Sequence, residues 1–121
     1  MVNFLFLAST ALASDVYEIC VHKKQKWSDN QQQFITEYVT SMYTTQSVQF
    51  IIHQNSFEVN RRKRDIVETF TQDGMHCWRE HENSFFCYDK NTKSFLWEFY
   101  KRNGVVTRDI MKVCFKNGDP I

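Results

Sequence analysis

The sequence predicts an α+β domain, one N-terminal helix packed on an antiparallel β-sheet, and three observations carry that expectation. Phe34, Ile35, Tyr38, Val39 and Met42 recur at helical spacing and form one apolar stripe. Downstream, short runs of β-branched and aromatic residues begin to alternate, and Asn103-Gly104 marks a tight hairpin. Four cysteines, Cys20, Cys77, Cys87 and Cys114, follow an apolar leader. That is the pattern of a small exported domain held by two disulfides.

The elements follow in chain order. Residues 1–14 read as a signal peptide: they carry no charged side chain, hold an apolar run from Phe4 to Leu7, and end in the small-x-small motif Ala11-Leu12-Ala13. The segment is too short to cross a bilayer, which takes roughly 20 apolar residues. Cleavage is expected after Ala13 or Ser14, and residues 15–121 form a single domain. Ser28 or Asp29 caps the helix, which runs from Gln31 toward Met42. Strands are expected at 48–52, 66–71, 75–80, 85–89, 95–100, 105–107 and 110–115. Phe95, Trp97 and Phe99 alternate with Leu96, Glu98 and Tyr100, as a half-buried strand should.

Composition narrows the partners. A net charge of +1 gives no global field toward nucleic acid or membrane, so any polyanion binding must come from a local patch. Eleven phenylalanines predict an aromatic core, and only 3 Gly and 1 Pro argue against low complexity. A monomer without a cofactor or a membrane partner is expected.

Four cysteines allow three pairings. A turn around His81-Glu82-Asn83 places Cys77 and Cys87 opposite each other on antiparallel strands, which leaves Cys20 and Cys114 to join the two ends of the domain. Metal binding by Cys77, His81 and Cys87, with His76 as a fourth ligand, is the rival reading, and export favours disulfides over it.

This order of parts, an early cysteine, one helix, an antiparallel sheet and a late cysteine, resembles the microbial ribonuclease fold. It is similar in particular to the RNase-like secreted effectors of powdery-mildew fungi, which have lost catalytic residues. Tyr17-Glu18-Ile19-Cys20 stands where that family has an aromatic-x-Cys motif, with one residue more between the aromatic and the cysteine. The resemblance implies an end-to-end Cys20–Cys114 bridge and places the catalytic positions. His53 corresponds to the histidine after the helix, and Glu68 is the candidate general base. Ser84 and Lys101 stand where the family's arginine and general-acid histidine are expected. RNA cleavage needs a base, an acid and a cation over the phosphoryl oxygens. A lysine, with an ordinary pKa of about 10, is a poor acid at neutral pH. The resemblance therefore implies a secreted, catalytically inactive effector that works by binding a host protein, an immune receptor included, or host RNA, and that can pass into host cells.

Two basic clusters supply candidate phosphate contacts. Lys23, Lys24, Lys26 and Trp27 combine cations with an aromatic ring, a pairing suited to phosphate contact and base stacking. Arg61, Arg62, Lys63 and Arg64 read as a cationic loop that also matches a kexin-type processing site, and Lys101 is a further point charge. The alternatives are a secreted cystatin-like protease inhibitor and an active secreted ribonuclease. The chain lacks the inhibitor family's Gln-x-Val-x-Gly loop and late Pro-Trp wedge.

Overall fold

The computed structural model describes residues 14–41, 48–81, 84–100, 104 and 106–121. Residues 1–13 of the expected signal peptide 1–14, Met42, Lys101, Asn103, and Glu82 and Asn83 of the expected turn lie outside them. The chain is all-β. Its strands are β1 (Asp15–Ser28), β2 (Gln33–Ser41), β3 (Val48–Ile52), β4 (Ser56–Val59), β5 (Arg62–Asp65), β6 (Glu68–Gln72), β7 (Met75–His81), β8 (Ser84–Asp89), β9 (Ser94–Tyr100), β10 (Val106–Lys116) and β11 (Asp119–Pro120). There is no helix among the described residues.

The expected N-terminal helix is therefore corrected to a strand, and the α+β ribonuclease-like layout falls with it. The residues that read as a helix cap build a turn instead. Ser28 Oγ accepts the Gln31 N–H at 3.3 Å, and Trp27 Nε1 donates to Asp29 Oδ1 at 3.0 Å. Ser and Asp offer the same side-chain acceptor to a turn as to a helix N-terminus, so local sequence does not separate the two. Gln32 then adopts φ 53°, and the chain returns along β1 as a hairpin. Ile35, Thr36, Val39 and Thr40 are β-branched and favour that extended state. The apparent helical stripe is not a buried face: Tyr38 and Val39 are 44% and 57% exposed, while Phe34 is capped by the Arg108 guanidinium 3.8 Å from its centroid.

The strands form one antiparallel sheet in the order β5-β4-β3-β1-β10-β9-β8-β7-β6, with β2 on β1 and β11 on β10. Curvature makes it a core-bearing fold. Phe57 of β4 and Phe86 of β8 lie five strands apart along that order, which a flat sheet would hold at about 24 Å. Their ring centroids are 4.8 Å apart. The sheet has rolled, and its inner face carries Phe50, Phe57, Phe86, Phe95 and Trp97, packed edge-on and stacked around Phe50. Period-2 alternation produces this face: Phe95, Trp97 and Phe99 point inward from β9, and Met111 and Val113 from β10. The aromatic core expected from composition is the interior of the roll.

The roll closes on a seam where β5 and β6 do not pair. Arg64 Nη1 of β5 reaches across it to Glu80 Oε1 of β7 at 2.6 Å. Glu80 occupies a bulge in β7, which turns its carboxylate inward. It accepts from Ser84 Oγ at 3.1 Å, and Ser84 Oγ in turn accepts from Trp97 Nε1 at 2.8 Å. A polar chain thus ties the seam to the core.

Cysteines fasten two other places. Cys77 and Cys87 are direct cross-strand partners, bridged with Cα atoms 4.0 Å apart. Cys20 bridges to Cys114 at a Cα separation of 5.8 Å. It marks the irregularity in β1 where the neighbouring strand changes from β3, which pairs with Asp15–Ile19, to β2, which pairs from Val21 onward. Both thiols of the rival metal site are consumed, and His76 and Cys77, adjacent on β7, point to opposite faces. Two disulfides suit an extracellular setting.

Candidate functional site

The inner face leaves a cleft open at the end where β4 turns into β5. It encloses about 170 Å³ over a floor of Ile19, Val59, Trp97, Phe99 and Met111. One rim comes from β1 and β10. Past the Cys20 irregularity His22 faces inward opposite Met111, and its Nε2 donates to Asp109 Oδ1 at 3.0 Å. The Tyr38 ring stands edge-on to His22 with centroids 5.7 Å apart. Lys24 and Lys26 continue the same face of β1 beyond His22, since side chains alternate along a strand.

The other rim is the β4–β5 hairpin. Val59 pairs with Arg62, so the loop is two residues long, and Asn60 and Arg61 take φ 52° and 65°. Positive φ at both positions is what a two-residue hairpin loop of the type I′ kind requires. The turn brings the exposed Arg62 back over the cleft. Val59, Asn60 and Trp97 also border a hollow of about 400 Å³ whose remaining walls are Arg62 and Arg64. Arg64 is held by Glu80, whereas Arg62 has no ionic partner among the described residues. The run 61–64, read from the sequence as a loop, is thus a tight turn followed by an edge strand. Alternation aims Arg62 and Arg64 inward, and Lys63 stands across from Glu58 on the outer face.

The second basic cluster therefore borders the aromatic-floored cleft region, and the first continues the strand face that carries His22. Arg62 borders its neighbouring hollow, Lys24 stands one alternation beyond His22 on the same face of β1, and Lys26 lines a separate hollow with Trp27, Ile35 and Glu37. Lys23 lies on the opposite face of β1, and Trp27 is turned toward Asp29 and packs on Phe34 with centroids 5.2 Å apart. Lys101 lies outside the described residues. Asp109, Asn60 and Trp97 were not legible as site residues. Period-2 reading of Thr107, Asp109 and Met111 is the signal that puts a carboxylate on an inward register.

The positions that the ribonuclease resemblance singled out are not gathered around this cleft. His53 is the first residue after β3, bonded to Ser14 and Glu58. Glu68 opens β6 on the exposed side and accepts from Arg79 Nε at 2.5 Å. Ser84 is fully buried in the seam chain. A larger hollow of about 620 Å³ at the opposite end, beside Lys93, Lys112 and Cys114, brings no aromatic ring to its wall.

No protein-family model, characterised protein or solved structure matches the chain. The ribonuclease-like and cystatin-like layouts both required the helix that β2 replaces.

Proposed function

We propose that this is a secreted effector-type binding protein that acts by occupancy, holding single-stranded host RNA in the cleft without cleaving it. One observation carries the reading: a cleft floored by Trp97 and Phe99 has His22 of β1 on its wall and adjoins a hollow walled by Arg62 and Arg64 of β5. A volume of about 170 Å³ equals roughly five or six waters, room for one planar ring system. Aromatic floors accept bases of any sequence, and flanking cations meet the backbone phosphates. The disulfides favour an extracellular route, and secretion followed by entry into host cells is part of the same proposal. An RNA occupant uses both the floor and the rims, whereas a host protein surface needs only the rims.

Fluorescence anisotropy with a labelled single-stranded RNA tests it across a salt series. Affinity should fall with salt at a slope of about −0.7 per phosphate neutralised, and Lys24→Ala and Arg62→Ala should each flatten that slope by about one contact. The RNA should be recovered intact. Absence of salt-dependent affinity at low ionic strength removes the RNA reading and leaves a host protein, an immune receptor included, as the partner to be sought. Cleaved RNA would instead establish an active ribonuclease.

A further inference from the structure

Three side chains distant in the sequence meet where β1 begins beside the β3–β4 turn. Ser14 Oγ donates to His53 Nδ1, and His53 Nε2 donates to Glu58 Oε2 at 2.5 Å. The backbone sets this meeting from both sides. Asp15 pairs with Ile52, so the next residues outward, Ser14 and His53, are brought together. The turn is closed by His53 N–H on Ser56 O at 2.8 Å, and Glu58 then lies on β4 opposite Ile51. His53 and Glu58 keep 31% and 30% of their side-chain surface exposed, so a small reagent can approach.

This pattern has the parts of an activated hydroxyl. A histidine protonated on Nε2 leaves Nδ1 bare to take the serine proton, and the carboxylate on Nε2–H holds that tautomer and balances the imidazolium that forms. We propose that Ser14, with His53 as base and Glu58 as the carboxylate that orients it, is a nucleophile that accepts acyl groups from activated carboxylic esters. Ser14 Oγ bonds to the carbonyl carbon as its proton passes to His53 Nδ1. The tetrahedral adduct then expels the leaving oxygen, which takes that proton and departs as the alcohol or phenol. Water repeats the sequence in reverse: its proton goes to His53 Nδ1, its oxygen bonds to the acyl carbon, and the proton returns to Ser14 Oγ as the carboxylic acid leaves. The relay supplies base catalysis, worth about 10²–10⁴ in rate, which suits activated esters and not amides. This activity is independent of the cleft and of RNA.

The test uses the secreted, disulfide-bonded protein. Its N-terminal sequence and intact mass are read first, and it is then treated with a fluorophosphonate and, separately, with p-nitrophenyl acetate. The expected result is a chain that retains Ser14, a single adduct mapped to Ser14, and none in Ser14→Ala. His53→Ala should slow labelling at least about 100-fold, and added imidazole should restore part of the rate, which a merely structural histidine would not allow. Glu58→Gln, by removing the charge behind the imidazolium, should slow it by a smaller factor and serves as the test if His53→Ala does not fold. A mature chain beginning at Asp15, an adduct at another residue, or labelling no faster than in the denatured protein overturns the proposal.

Discussion

Ser84→Ala exposes the logic of the seam. Ser84 is fully buried, and its hydroxyl serves two partners, accepting from Trp97 Nε1 at 2.8 Å and donating to Glu80 Oε2 at 3.1 Å. Removing the oxygen leaves a buried indole N–H without its acceptor, at a cost of about 1–3 kcal/mol, and deletes a hydrogen bond to a charged group worth about 1.5–3 kcal/mol. Glu80 keeps Arg64, so part of the second loss is recovered. The sum is roughly 2–4 kcal/mol, a large share of the about 5–15 kcal/mol that holds a domain of this size. The outer link of the same chain is weaker. Arg64 is 43% exposed, and solvent limits its pair with Glu80 to at most about 1 kcal/mol. The inner hydrogen bonds therefore fix Glu80 among β7, β8 and β9, and the weaker ion pair carries the link across to β5. Guanidinium unfolding of the oxidised protein, followed by tryptophan fluorescence, measures the loss, and a thermal scan should show a fall in Tm on the order of 10–25 °C. Trp97→Phe in the same background sharpens the test. With both partners gone no donor is stranded, so the double variant should be less destabilised than the sum of the singles. A Ser84→Ala change within about 0.5 kcal/mol of wild type, or strict additivity with Trp97→Phe, would refute the network.

Two further outcomes follow from the covalent frame and the core. The Cys20–Cys114 bridge spans 94 residues and Cys77–Cys87 spans 10, so in the chain-entropy model paired Ala variants should cost about 4–5 and about 2.5–3 kcal/mol respectively; chemical denaturation of both variants checks the order, and a larger loss from the inner pair would contradict it. Burial, with the charges of Asp15 and Tyr88 adding, pushes the Tyr17 phenol up to about 12 from 10. The folded state thus keeps a proton that the unfolded state has released, so this contribution is complete below pH 10 and disappears between pH 10 and about 12, a fall of roughly 2–3 kcal/mol. Denaturant midpoints measured across that window, together with the phenolate absorbance, follow it, and a flat profile would show that Tyr17 titrates normally.

Legibility in the sequence divided along physical lines. Strands β3, β7, β8 and β9 were readable because β-branched and aromatic residues alternate there against polar ones. The Cys77–Cys87 hairpin was readable because its partners are close in the chain. β2 was not. Phe34, Ile35, Tyr38 and Val39 satisfy a helical period, and Ser28 and Asp29 serve a turn as well as a cap. What decided β2 was the free edge of β1 past Cys20, a tertiary fact. The β4–β5 hairpin was hidden for another reason. A run of four cations looks like solvated loop, and only pairing with Ser56–Val59 makes it a strand.

The sequence by itself determined the aromatic character of the core and most individual strands, because these depend on composition, near neighbours and period-2 patterning. Only the tertiary structure decided that the sheet rolls, that Arg64 reaches Glu80 across its seam, and that His22 and Arg62 border adjoining parts of one cleft region. Those relations join residues through curvature and register accumulated over several strands, and no local window contains them.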